Sequence, residues 1–283
     1  MRITRIFLQP VKSLHGCNVD SVEIDELGMV GDRRFMLVDE AGKFMTQRTL
    51  PQMARVTAQV VENHLVLEAK SQSPLAVPLQ SKPREAPRLR TVNIWKSEGL
   101  LAEDCGADAA RWLTEAVGLP CGLVRVGPAF ARPIPLHRVP EPLKAAAPRV
   151  AFSDAFPFMI IGEATLDDLN RRLEDEGLPK AEMERFRPSF AFSGGEPFAE
   201  DRWSRLQAGP LGLHPAGCCV RCLLPCVDPW TGERGHEPIR LLATYRRDPN
   251  DSTRLLFGQN AVHEYTGPAR IQVGDPVSGI PLP

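Results

Sequence analysis

Six prolines fall between Gly127 and Pro148 (Pro128, Pro133, Pro135, Pro140, Pro142 and Pro148), with little periodicity around them. Proline has no backbone N–H, so such a stretch cannot donate a regular ladder and cannot run as a helix or a central strand. The chain is therefore divided into residues 1–127, a connection over 128–148, and residues 149–283. At 283 residues it is long for one core, which suits two domains or one large β-rich body.

The first part reads mostly as strands joined by tight turns. Ile3, Ile6, Phe7 and Leu8 alternate imperfectly with Arg2, Thr4 and Arg5, a first strand that ends before Pro10. Val11-Lys12-Ser13-Leu14-His15-Gly16 follows; read alone it is a solvated turn first and a lysine-plus-hydroxyl phosphate grip second. Val22 to Asp25 is a further short strand. The apolar end of Asp32 to Asp39 reads as a core strand with Arg33 and Arg34 at its mouth, returning as a hairpin through Phe44 to Arg48. Val56–Val61 and His64–Glu68 form a second hairpin broken by Glu62-Asn63. Ala109, Leu113 and Ala116 at helical spacing, with Gly118 and Pro120 as stops, predict one helix over 107–117. Cys105 and Cys121 flank it as small buried hydrophobes.

Past the prolines, Ser153 to Ala155 is a polar turn and Phe156 to Ile161 a buried strand. Thr165 and Asp168 match a capping box opening a helix on Leu166, Leu169 and Leu173, closed by Gly177. Arg187 starts an apolar run, Phe186 to Phe192, where its charge needs either an ion-pair partner or a ligand. A polar helix-like stretch spans about 237–246, and a last strand lies near 269–273. The fold class is α+β, predominantly β, with a few short helices.

Charge excludes some functions. Thirty-four basic and 35 acidic side chains give a net charge of −1, so no global field draws nucleic acid or acidic membranes. An anion must be gripped by a local cluster. No basic-then-apolar leader and no apolar run of roughly 20 residues is present, and seven cysteines are an odd number. The expectation is a cytoplasmic protein with reduced thiols and no membrane or nucleic-acid partner.

Gly217 to Gly232 is the chemically dense stretch, with Cys218, Cys219, Cys222 and Cys226 in nine positions. Thiolates suit soft metals and form most easily beside a cation such as Arg221. A structural zinc site would need His214 and His236 to complete it. The spacing also matches part of an iron–sulfur run, and Cys219 with Cys222 permits a dithiol pair, although Pro225 and Asp228-Pro229 argue against the helix such a pair normally opens. A single thiolate on the metal of a bulky anionic cofactor is the fourth reading. Spacing does not choose among them.

Cys219-Val220-Arg221-Cys222-Leu223-Leu224 followed by Val227-Asp228-Pro229-Trp230-Thr231-Gly232 resembles the signature of MOSC-domain proteins, most closely the mitochondrial amidoxime reducing component and bacterial reductases of N-hydroxylated bases. Pro10-Val11-Lys12-Ser13, Asp32-Arg33 and Asp104-Cys105-Gly106 resemble that family's N-terminal β-barrel region. Phe186-Arg187-Pro188, Phe257 to Asn260 and Val273 to Val277 resemble its MOSC β-barrel domain. The resemblance implies a molybdenum cofactor, a metal held by the molybdopterin dithiolene and by Cys222, with pterin and phosphate contacts at Lys12, Ser13, Arg33, Asp154 and Arg187. Ser189, standing where relatives have asparagine, is expected as a further cofactor-binding residue with a shorter polar contact, and Pro225-Cys226 stands where they have two threonines; both departures bear on substrate preference. Arg34 is the rival of Arg33, since adjacent strand residues face opposite ways.

The activity implied is reduction of hydroxylamines, amidoximes and N-hydroxylated bases, small-molecule substrates, to amines and amidines, a detoxification. Without a flavin fingerprint, haem motif or ferredoxin cysteine run, electrons are expected from a separate flavin or iron–sulfur reductase. The alternative is a sulfur-carrier or cofactor-carrier module using a Cys222 persulfide or thiolate; a pyridoxal-phosphate domain is not expected in this chain.

Overall fold

The computed structural model describes residues 1–70, 72–81 and 86–282. The hairpin Thr57–Val61 and His64–Glu68 forms where alternation and turn residues predict it, with Glu62 at φ 52° in the turn and Ala58, Leu65 and Leu67 buried. Leu75–Pro78 adds a third strand. A five-stranded sheet runs in the order Leu89–Ile94, Ser97–Asp104, Gly122–Arg125, Phe35–Val38, Val11–Lys12, the last two being parallel. Helix Ala107–Val117 packs Ala109, Leu113 and Val117 into the same core, and Gly118 ends it at φ 78°. Cys121 is buried there, its amide bonded to Thr114.

The segment 44–48 does not return as a hairpin strand. It makes one bridge, Val38 with Phe44, then turns at Thr46, whose carbonyl accepts the amides of Thr49 and Leu50.

The largest sheet holds most of the second half. Its path is Val277–Pro281, Trp203–Ala208, Leu211–Val220, Asp251–His263, Phe158–Gly162, Phe190–Ser193, Arg2–Leu8, Cys17–Val19. Phe158–Gly162 and Phe190–Ser193 are parallel, which requires a crossover, and helix Glu163–Asp175 supplies it. That helix starts before the expected cap: Thr165 is wholly buried and its hydroxyl bonds the carboxylate of Glu200 instead of an amide of the first turn. The polar stretch near 237–246 becomes the short helix Ile239–Tyr245.

The first strand belongs to this sheet, pairing Arg2 with Ser193 and Ile6 with Phe190. Ser21–Asp25 likewise pairs with Ala269–Gln272. Bonds from Ile3 N–H to Asp275 O and from Val277 N–H to Met1 O bring the start of Arg2–Leu8 beside the segment leading into the edge strand Val277–Pro281 across a single bridge, without a closed ladder. The molecule is thus α+β and mostly β. Among the described residues no helix is long and apolar enough to cross a membrane.

The proline-rich segment is folded. Ile134 N–H bonds Pro148 O and Val150 N–H bonds Arg132 O, closing a loop whose Ile134, Val139 and Leu143 are buried beside Phe156 and Val262.

Candidate functional site

Lys12, Ser13, Arg33, Asp154, Arg187 and Cys222 all line one cleft of about 1060 Å³. It opens between the end of Val11–Lys12, the turn before Phe35–Val38, the proline-rich segment, and the bulged end of Leu211–Val220.

Three of these residues share an unusual backbone. Ser13, Arg33 and Arg187 have φ values of 63°, 47° and 55°, left-handed conformations that cost side-chain-bearing residues roughly 1–3 kcal/mol each. Ser13 leaves its strand and Arg187 ends the turn Met183–Phe186 in this way. Arg33 precedes its strand, so turn geometry, and not strand alternation, separates it from Arg34. Arg33 bonds Asp32 at 2.5 Å and Arg187 O at 3.0 Å. Arg34 instead bonds Asp25 at 2.6 Å and Met29 O, and does not line the cleft.

Arg187 carries the main electrostatic anomaly. Nη1 donates to Leu14 O at 2.7 Å, while Nη2 is buried with no partner. Among the described residues no carboxylate pairs with it, so the ion-pair explanation fails. Burial first, and Arg33 second, push its pKa down to about 9. A buried cation with an unused donor is unfavourable unless an anion completes it.

Lys12 is buried and its ammonium meets the Asp154 carboxylate, which also accepts Trp95 Nε1 at 3.1 Å. Burial lowers the Lys12 pKa and Asp154 opposes the shift. Asp154 is exposed at the cleft, and although the surrounding protein disfavours its charge, Lys12, Trp95 and Arg48 outweigh this and hold it well below the carboxylate range.

Among the described residues nine cationic side chains line the cleft: Lys12, Arg33, Arg48, Lys96, Arg132, Arg138, Arg187, Arg221 and Arg254. Among the same residues only two carboxylates, Asp154 and Asp248, join them. In a chain of net charge −1 this is a local concentration of positive charge. Arg48 and Arg132, and Trp95, which links Arg48 to Asp154, were not legible as site residues: they sit in a turn, a proline-rich segment and a strand-to-strand loop without a motif of their own.

The cysteines separate by environment. Register shifts on either side of Cys218, and Gly217 at φ 96°, bulge the end of Leu211–Val220 and turn Cys218, Cys219 and Cys222 toward the cleft. Burial, then Asp201, pushes the Cys218 thiol up to about 12, so it stays protonated. Cys226 is buried off the cleft wall, its thiol donating to His236 O at 3.3 Å; burial raises its pKa too. Arg221 Nη1 donates to Cys219 Sγ at 3.2 Å, so this cation attends Cys219. Cys222 is half-buried and faces the cleft.

Ser189 is not brought to the cleft. It is wholly buried and its hydroxyl accepts the Met159 amide at 3.2 Å. His214 bonds Glu264 at 2.5 Å and His236 is exposed. Among the described residues no three histidine, cysteine or acidic side chains converge as a metal site would need.

A soft thiol and a cluster of cations line one cleft, which fits a metal-bearing organic anion better than a bare ion. Residues 1–120 match the family described as MOSC N-terminal beta barrel domain, and residues 147–278 match the MOSC domain. The two modules together define a MOSC-domain protein. Human mitochondrial amidoxime-reducing component 1 is 33% identical over 286 residues, covering 97% of this chain and 82% of that one. Rat mitochondrial amidoxime reducing component 2 is 33% identical over 288 residues, with the same coverage of 97% and 82%. The solved YUAD protein from Bacillus subtilis aligns over 98% of this chain and 93% of its own at 10% identity, with a TM-score of 0.36 that bears no argument. The chain belongs to the family of the mitochondrial amidoxime-reducing components.

Proposed function

We propose that the cleft holds a molybdenum–pterin cofactor and that the chain reduces N-hydroxylated compounds, the hydroxylamines, amidoximes and N-hydroxylated bases, to amines and amidines. The observation that carries this reading is that Cys222 and Arg187, whose Nη2 is buried and unpartnered, line the same cleft. The cavity also has room for a ligand of pterin size, since its volume is at the upper end of the range for small-molecule sites.

In this reading Cys222 supplies a thiolate to the metal, soft enough for molybdenum. Lys12, Ser13, Arg33 and Arg187 grip the anionic tail, the two arginines with planar forks suited to phosphate oxygens. Asp154 does not touch the anion as a donor; it holds the Lys12 ammonium in place. When bound, the cofactor supplies the two-electron couple that N–O cleavage requires. Cys218, whose thiol burial and Asp201 keep protonated, is assigned no place in the metal's ligand set. Electrons come from a separate flavin or iron–sulfur reductase.

Elemental and pterin analysis tests this reading. Purified from a host competent in cofactor synthesis, the protein is expected to carry about one molybdenum and one pterin per chain. Cys222→Ser is expected to lose reduction of benzamidoxime and hydroxylaminopurine, while Cys226→Ala, altered off the cleft wall, retains it. Stoichiometric zinc without molybdenum, or full activity in Cys222→Ser, refutes the reading.

A further inference from the structure

Arg132 projects from the proline-rich segment, is 5% exposed, and was assigned no role by sequence motif. All three of its guanidinium nitrogens donate hydrogen bonds. Nη1 donates to Ala151 O at 3.1 Å and to Ser153 O at 2.5 Å, Nη2 to Asp154 O at 3.0 Å, and Nε to Ser97 Oγ at 3.2 Å. Among the described residues no carboxylate forms an ion pair with it. A brace for three carbonyls need not be charged, and a charge buried among neutral oxygens is unfavourable. Burial pushes its pKa down to about 10, so the charge is retained at neutral pH despite that cost.

Arg132 stands among other cations. Lys12, Arg33, Arg48, Arg138 and Arg187 line the same cleft, where Asp154 meets the Lys12 ammonium. The cleft therefore keeps a positive surplus, which a phosphate monoester, carrying about −1.5 to −2 near neutral pH, would offset.

We infer that Arg132 is a positioning residue of this anion subsite. Its planar fork fixes the turn 151–154 so that Asp154 presents the Lys12 ammonium to the cleft, and its charge adds to the positive surplus that favours a phosphate dianion. The proline-rich segment is the rigid mount: Arg132 O accepts Val150 N–H at 3.0 Å, Ile134 N–H reaches Pro148 O at 3.0 Å, and Pro133 and Pro135 restrict the backbone beside it. This inference rests on the reading of the cleft as an anion site.

Calorimetric titration of the cofactor-free full chain with inorganic phosphate at fixed salt tests it, alongside molybdenum and pterin content after expression in a competent host. Arg187→Met is expected to abolish phosphate binding, and Arg132→Gln to weaken it about tenfold. Arg132→Lys keeps the charge but cannot span three carbonyls, and is expected to weaken binding about fivefold and to lower cofactor content. Should Arg132→Gln not fold, Arg132→Lys carries the test. Wild-type affinity in the Arg132 variants with binding lost in Arg187→Met overturns the inference and leaves the cleft reading intact. Full rescue by lysine overturns the positioning role in favour of charge alone. No phosphate binding by the wild-type chain, or binding indifferent to Arg187→Met, overturns the cleft reading itself.

Discussion

Replacing Arg187 by methionine is expected to make the cofactor-free protein more stable while destroying its hold on anions. Burial moves the guanidinium from its ordinary range to a pKa of about 9. Keeping the charge in the fold therefore costs on the order of 4 kcal/mol. The cost applies in full below about pH 9, because both folded and unfolded chains are then protonated, and fades as pH rises toward the unfolded guanidinium's pKa. Methionine removes that cost and gives up the bond to Leu14 O, which is worth about 1.5–3 kcal/mol. The left-handed backbone at 187 is unchanged, since methionine is no easier there than arginine. The net expectation is a gain of about 2 kcal/mol, or a melting temperature some ~5 °C higher for a chain of this size. Phosphate should raise the wild-type melting temperature by mass action and leave the variant where it was. Thermal denaturation at neutral pH, with and without phosphate, reads both effects. A variant that melts lower than wild type and is still protected by phosphate would refute the reasoning, because it would mean that Arg187 is already satisfied within the protein.

Two further expectations concern Asp154 and Gly258. Asp154 has a depressed pKa, so its contribution is complete above the ordinary carboxylate range and is lost as pH falls through its folded-state value; Asp154→Asn should flatten the acid limb of a melting-temperature profile, by a small amount because the carboxylate is 60% exposed. Gly258 sits at φ 81° with Ile161 Cγ1 and Met159 Sδ only 2.7 and 2.8 Å from where a Cβ would stand, so Gly258→Ala should destabilise the sheet by about 2–4 kcal/mol, measured by chemical denaturation.

Local signals in the sequence translated well into structure. The hairpin around Glu62-Asn63 and the helix Ala107–Val117 each depend on contacts within a few residues, which periodicity and turn chemistry report directly. Lys12, Arg33 and Arg187 were legible only through short motifs, since nothing in their own neighbourhoods says that chain segments more than 150 residues apart will meet. Arg132 was invisible for a different reason. Its partners are backbone carbonyls, which every residue possesses, so no side-chain pattern marks them. Thr165 shows the converse error: a correct local pattern for a cap was overridden by a buried carboxylate brought in from Glu200. Ser189 likewise matched a motif position while its hydroxyl was committed to the strand beside it.

The placement of Arg2–Leu8 between Phe190–Ser193 and Cys17–Val19 sets a timetable for biosynthesis. Arg2 finds Ser193 only after nearly two hundred further residues have been polymerised, a wait on the order of ten seconds or more at ribosomal speeds. Until then an apolar ribbon leaves the ribosome with one edge open, in the form most prone to mispairing with other nascent chains. Arg33 and Arg187 come within bonding distance at that same late moment, so the pocket for the anion cannot exist on a half-made chain, and loading must follow translation.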